Sequence, residues 1–457
     1  MTIKTRRLIY ITFFIIFFVV VPILTLYATG YRYNFKKNRI EKTGVLIVES
    51  IPKKSDIYLN DKFAKKTPTR LNHLLPDEYK LTVSKDGYYD WTKKVTVRSG
   101  MSTFATDIVL FKKLAPILIE PGEINILAGS PDQQKIIYSK ILDNSQEEMR
   151  LFNINGGTNL LVKTLNSKSY DRLDFVSWSP DSKKILIKKP ADDFNNYLII
   201  DVTNLEVKEL FDITRLNFSK LKFDQNNSTI LYGLTGSTIY KIDLINNTVT
   251  DIIASHITDF LADKNDLFYI SQVAEETFLN HSQINQNQNP VEKIKLSPLS
   301  QYNLEVGPND YLYLLDQKNN DLFVIEKRAF TSQDIANNII LQNQAKQLFW
   351  QPGNQKIIFS NGFDVWDYDF STNQINFINR YGQPIENAIW LLNKPYLVYQ
   401  INDEIHITET APGNTKNDYL INKCDGLDGL FVDYQAQNLY FKCLINNQPG
   451  IYKLNIQ

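Results

Sequence analysis

The sequence predicts an all-β protein, most of it a seven- or eight-bladed β-propeller with eight preferred, preceded by a transmembrane helix and a small β-sandwich. Three observations carry this. A phrase made of a hydrophobic pair, a turn rich in Pro, Asp, Asn or Gly, and a short apolar run recurs about eight times after residue 120. Successive copies lie roughly 40–50 residues apart, the length of a four-stranded blade. Aromatic residues make up 12% of the chain while Asn and Gln crowd its loops, which suits many short strands joined by polar turns.

Residues 1–30 are read as a membrane anchor. Leu8 to Ala28 is an uncharged run, and at about 1.5 Å per residue it spans roughly 30 Å of hydrocarbon. A cleaved export signal is the competing reading, but the apolar stretch exceeds the usual signal core and Tyr27 and Tyr31 crowd the exit where small residues are needed. Pro22 is tolerable in a lipid-embedded helix. Lys4, Arg6 and Arg7 precede the span, whereas Arg32, Lys36, Lys37, Arg39 and Lys42 follow it. Charge alone therefore does not favour an outside C-terminus. The expectation of a single-pass protein of the cytoplasmic membrane, with its body extracytoplasmic, rests on the N-terminal position of the helix and on the modules that follow. A cytoplasmic body is the alternative.

Residues 31–42 read as a basic, polar stalk, and residues 43–111 as a sandwich of short strands. Thr43 to Pro52 and Asp56 to Leu59 are strand-like, Asn60-Asp61-Lys62 makes a tight turn, and Thr67-Pro68 breaks the chain. Leu75-Pro76-Asp77-Glu78-Tyr79 introduces another strand, and Gly87-Tyr88 leads to Trp91. Together with Ser50-Ile51-Pro52, these landmarks in this order resemble a PEGA domain. The eponymous tetrapeptide is replaced by Pro52-Lys53-Lys54-Ser55, and Asp77 stands where Gly is usual. The resemblance implies an extracytoplasmic or cell-surface module of bacteria and archaea, with no catalytic residues. The residues themselves need no ligand: Gly87 supplies a positive φ, Pro68 and Pro76 fix turns, and Tyr79, Tyr88 and Trp91 fill a core. An aromatic carbohydrate platform on Tyr88 and Trp91 is the weaker alternative.

Residues 112–457 are assigned to the propeller, joined through Lys112-Lys113-Leu114-Ala115. The clearest phrases run through Ser130-Pro131-Asp132 and Ser179-Pro180-Asp181. Degraded copies follow at Leu221 to Asp224, Phe260 to Asp263, Leu304 to Pro308, Leu348 to Pro352, Ile389 to Leu392 and Phe431 to Tyr434. The last repeat ends on its third strand near Gly450 to Ile456, and Ala115 to Ile119 offers the missing outer strand, which would close the ring and remove its free edge. The Ser-Pro-Asp phrases and the Ile-Tyr-x-Ile-Asp strand at Ile239 to Asp243 resemble WD-like repeats of TolB-type propellers.

Function is constrained mostly by exclusion. Lys+Arg 50 against Asp+Glu 50 leaves no net field to attract nucleic acid. No Gly-x-Ser-x-Gly elbow follows the repeats, no acid pair with Asp-box repeats marks a glycosidase, and His73, His256, His281 and His406 are scattered. No Cys/His metal spacing exists; Cys424 and Cys443 lie in what read as neighbouring strands, as a disulfide or as two buried thiols. The reading is therefore non-enzymatic, without cofactor or metal. A scaffold or receptor for another envelope protein is preferred, cell-wall glycan binding is the rival, and a propeller hydrolase is a distant third. The turns would place Asp132, Asp181, Asp224, Asp263 and Asn309 at comparable positions around a channel, where they serve either a ligand or turn formation.

Overall fold

The computed structural model describes residues 3–457 apart from 143–144, 192–193, 255, 285–291, 299, 306, 309–310, 328–338, 351–354, 392–393 and 412–415. The chain divides into two compact units, Met1–Leu114 with Gly413–Asn417 and Ile456–Gln457, and Ala115–Pro412 with Asp418–Asn455.

The first unit opens with the helix Ile3–Ala28, which is long and apolar enough to cross a membrane and buries none of its side chains. Gly30, at φ +91°, turns the chain out of the helix. Residues 31–42 do not form the expected stalk. Tyr31–Asn34 pairs antiparallel with Arg39–Lys42, because Tyr31, Tyr33 and Ile40 are strand formers on one face and Asn38, at φ +48°, closes the turn between the strands.

The sandwich that follows stacks a three-stranded sheet on a four-stranded one. The first orders Thr69–Leu74, Gly44–Ile51 and Ser102–Val109; the second orders Lys62–Lys66, Asp56–Leu59, Asp77–Ser84 and Trp91–Val97. Period-two alternation drives Leu46 and Val48 of one sheet inward against Ile57, Leu81, Val83 and Trp91 of the other. The polar landmarks tie the loops. Ser50 Oγ lies 2.7 Å from Thr67 Oγ1 and donates to the Pro52 carbonyl at 2.8 Å, and the Ser55 N–H donates to Thr67 Oγ1 at 3.1 Å. Gly87 adopts φ +79°, as its place in the turn requires.

The second unit contains eight four-stranded antiparallel sheets among the described residues, one for each turn phrase. Their innermost strands are Ile124–Gly129, Asp174–Trp178, Lys220–Phe223, Ile257–Asp263, Tyr302–Glu305, Gln347–Phe349, Asn387–Trp390 and Asp425–Val432. Second strands such as Tyr311–Asp316 are buried almost throughout, since a sheet flanked on both faces needs continuous apolar runs rather than alternation. Adjacent sheets interdigitate. Ile137, Met149 and Leu151 of the first pack on Trp178, Ile185 and Leu198 of the second.

The eighth sheet takes its fourth strand from the front of the unit: Ile117–Pro121 pairs antiparallel with Gln448–Asn455, so the expected closing strand is present. The first and eighth sheets also meet side chain to side chain. A Cβ at Gly129 would run into the Phe431 ring, so this glycine is set by close approach.

Candidate functional site

The turns after the innermost strands of the first two sheets are built by local hydrogen bonds. In the first sheet, the Ser130 hydroxyl donates to Asp132 at 2.5 Å, and Asp132 also accepts from the Gln134 N–H at 3.1 Å and the Lys135 ammonium at 3.1 Å. Asp181 is held likewise by the Ser179 hydroxyl at 2.7 Å and the Lys183 N–H at 3.2 Å. Burial pushes both carboxyls up, but these donors outweigh it and hold both below the usual carboxylate range.

The candidate acids do not occupy equivalent places. Asp132 and Asp181 are the third residues of their turns, whereas the Asp224 N–H donates to the carbonyl of Ile230, as the Ser130 N–H does to that of Lys135. Asp224 therefore stands where the first two turns have serine. It accepts the N–H groups of Asn226 and Asn227 at 2.8 and 2.9 Å, and burial raises its pKa. Asp263 instead ends its strand and pairs with Asp266 across a two-residue turn. Asn309 lies outside the described residues, as do Val306, Gln351, Pro352 and Leu392 of the degraded phrases. Asp433 of the eighth sheet, not among the sequence candidates, takes the same place as Asp224 and accepts the N–H groups of Gln437 and Asn438.

These turns are fastened to one another. The Asp132 N–H donates to Ser182 Oγ at 3.0 Å, Ser228 Oγ donates to Asp181 at 2.8 Å, and Asn226 donates to Asp263. Lys327, after the third strand of the fifth sheet, meets Asp263 at 2.5 Å, and the Tyr434 N–H donates to the Gln133 carbonyl at 3.3 Å. The turns thus link sheet to sheet from the eighth through the first to the fifth, by backbone N–H groups as far as the second sheet and by the carboxylates of Asp181 and Asp263 from there on. The carboxylates of Asp132, Asp224 and Asp433 are spent within their own turns instead.

Behind the turns, a cavity of about 700 Å³ opens between the ends of the innermost strands. Its walls include Trp178, Phe223, Leu261, Leu304, Tyr311 and Trp350, and its polar groups include Lys222, Gln225, Asp263, Lys264, Glu305 and Lys327. A second cavity of about 320 Å³ shares Pro131 and Trp350 with it and is lined by Phe349, Trp390 and Phe431. The two together take residues from all eight sheets, which places them at one end of the central channel. Deeper in, Asp259 is 1% exposed; Lys222 lies 3.1 Å from it and Lys220 3.3 Å, and it accepts the Leu304 N–H at 2.7 Å. The acid is compensated, as a buried charge must be.

The aromatic lining was readable but was not singled out from the sequence. An aromatic residue directly precedes the turn in Trp178, Phe223, Trp350 and Trp390, with Phe431 one residue earlier in its strand, and this recurrence near the strand end is the signal that marks the mouth.

In the first unit, Trp91 is 5% exposed and belongs to the sandwich core, with Tyr88 half-buried against it. Trp91 is thus unavailable as a stacking platform. Among the described residues no group of three or more His, Cys, Asp and Glu side chains is placed to hold a metal ion. Cys424 and Cys443 are free and buried.

Of the histidines, His281 meets Asp266 at 2.9 Å, and His406 lies 3.2 Å from Glu404 and 3.5 Å from Asp418. Burial works against a charged His406 ring, but Asp418 and Glu404 outweigh it and raise its pKa. A raised folded pKa gives stability that is complete below the unfolded value of about 6.5 and is lost as pH rises through the folded value. His406→Gln is expected to flatten the decline of Tm over this interval; an unchanged pH profile would refute the assignment.

Sheet order, closing strand and channel define a β-propeller protein that also carries a PEGA domain and an N-terminal apolar helix. Residues 43–113 match the PEGA domain family. No curated protein sequence matches the chain. Solved structures similar to it include the C-terminal WD40 domain of Sif2, at 12% identity and a TM-score of 0.49, covering 74% of this chain and 98% of that one. Sqt1 of Saccharomyces cerevisiae is 9% identical with a TM-score of 0.49, covering 76% and 99% respectively. The dihydro-heme d1 dehydrogenase NirN is 10% identical with a TM-score of 0.48, covering 76% and 78%. At these identities the likeness concerns the fold alone.

Proposed function

We propose that this protein is a non-enzymatic, membrane-anchored scaffold or receptor of the bacterial cell envelope, which binds another envelope protein at the channel mouth of its propeller. The observation that carries the reading is the pair of adjoining cavities, walled by aromatic residues from successive sheets and rimmed by charged side chains. Apolar walls with a few placed polar groups suit a binding site. The turn acids are occupied in forming their own turns or, for Asp181 and Asp263, also in joining sheets, which leaves the aromatic wall and the exposed Lys264 as the recognition elements. The helix Ile3–Ala28 provides the anchor, and the PEGA domain favours an extracytoplasmic body.

Half-buried Trp350 and Tyr311 in the cavity wall favour one second reading, a cell-wall glycan stacked on those rings. Affinity capture from detergent-solubilised membranes, run beside a pull-down on purified cell wall, separates the two. A protein partner retained by the wild type and lost by Trp350→Ala with Lys264→Glu, at unchanged Tm, is the expected result. Cell wall bound by the wild type alone, with no protein partner, would favour the glycan. Turnover of a peptide or glycoside would overturn both. Protease shaving of spheroplasts checks the orientation: residues beyond 42 should be digested.

A further inference from the structure

We infer that the hairpin Tyr31–Lys42 is a second membrane-contacting element, which lies on the bilayer surface beside the span and engages anionic lipid headgroups. The inference rests on the reading of Ile3–Ala28 as a membrane span and holds for either orientation of the chain.

The hairpin is built inside out for water. Its register pairs Tyr33 with Ile40 and Asn34 with Arg39, and successive side chains of a strand point to opposite faces. Asn34 and Glu41, 4% and 9% exposed, turn inward, while Tyr33 and Ile40 are 48% and 56% exposed. Phe35 beside them is 83% exposed, its ring stacked edge-on against Tyr33 at 5.0 Å. The inner polar pair is satisfied: Asn34 donates to Glu41 at 2.6 Å and accepts the N–H groups of Lys36 and Lys37. A soluble hairpin with one exposed face turns the polar residues outward; here Asn34 and Glu41 are covered and Tyr33 and Ile40 are bare, with the exposed cations Arg39 and Lys42 at the edges.

Its place is fixed by the helix end. The Arg32 guanidinium stacks over the Tyr27 ring at 3.4 Å and donates to the Tyr27 carbonyl at 2.6 Å, and Thr43 donates through both N–H and hydroxyl to the Gly30 carbonyl. The apolar face therefore begins within a few residues of the point where the span ends, at the depth where Tyr and Trp settle in a bilayer. Residues 31–42 carry Arg32, Lys36, Lys37, Arg39 and Lys42 against the single acid Glu41. Lys36 also reaches Asp77 at 3.3 Å and Lys37 the Pro76 carbonyl at 3.0 Å, both at exposed positions. Exposed cations around an apolar face are what an interfacial element needs to hold anionic lipid.

The test uses the full chain in nanodiscs of phosphatidylcholine with or without phosphatidylglycerol, doped with a lipid bearing a photoreactive group either near the headgroup or deep in the acyl chain. Cross-links are mapped by mass spectrometry. The expected result is headgroup-probe labelling of residues 31–42, several-fold stronger with phosphatidylglycerol and weakened by salt, together with deep-probe labelling of residues 8–28. Phe35→Ser with Ile40→Ser, and separately Lys36→Gln with Lys37→Gln, should each reduce hairpin labelling several-fold without moving Tm or the deep labelling. A labelled helix with an unlabelled hairpin overturns the inference and leaves the span intact. A labelled hairpin with an unlabelled helix overturns the span, and with it the inference, since the hairpin then lies beside no span. Labelling of neither overturns both.

Discussion

A chain that begins at Gly122 is expected to be less stable than one that begins at Ala115 by more than about 1–3 kcal/mol, the cost of leaving buried polar partners unsatisfied. The difference is the strand Ile117–Pro121. It completes the eighth sheet by pairing with Gln448–Asn455, and its loss leaves that strand as a free edge, open to pairing with another chain. It also carries Glu120, which reaches into the first sheet. There it accepts from Lys140 at 2.7 Å, from the Tyr138 hydroxyl at 3.0 Å and from Asn159 at 3.0 Å. Removing the strand strands those donors. The longer chain should melt cooperatively, the shorter one at much lower temperature with aggregation, and a peptide of residues 115–122 added in trans should restore part of the loss. In the full chain, Glu120→Ala should cost about 1–3 kcal/mol through the same unsatisfied partners. Equal melting of the two truncated chains would show that the ring does not depend on this strand.

Trp91→Ala is expected to unfold the PEGA domain. Trp91 starts its strand opposite Val83 and packs with Leu46, Val48, Ile57 and Leu81 between the two sheets. Truncating a buried Trp costs about 3–5 kcal/mol, and a small sandwich has only about that much stability to lose. Trp91→Phe keeps most of the apolar volume and should stay folded. Calorimetry with limited proteolysis checks this: residues 43–113 should become protease-sensitive in Trp91→Ala only. A protected domain in that variant would show that the core closes over the cavity.

The fold was legible where one residue type has one physical use. Ser130-Pro131-Asp132 and Ser179-Pro180-Asp181 had to be turns, and each turn marked the end of an innermost strand. Gly87 and Asn60-Asp61 announced positive φ, and the uncharged run announced its helix. The hairpin at residues 31–42 was hidden because five cations dominate its composition, while the signal lay in the alternation of Tyr31, Tyr33 and Ile40. The mouth was hidden for another reason. Trp178, Trp350 and Phe431 are far apart in sequence, and only closure of the ring brings them together. Asp224 and Asp433 escaped alignment with Ser130 because a carboxylate and a hydroxyl can accept the same turn N–H groups.

The pairing of Ile117–Pro121 with Gln448–Asn455 also sets a schedule for synthesis. The first propeller strand to emerge pairs with the last, so it must wait while nearly all the intervening chain is made. At about 5–20 residues per second that delay is on the order of tens of seconds, during which Leu118 and Ile119 have no ladder partner. A short apolar strand stays bare for that interval, and a holding chaperone would find its binding segment there. Dependence of the yield on such a chaperone should disappear in a circular permutant that starts at Gly122 and carries residues 115–121 after Gln457, since the two pairing strands are then both made late.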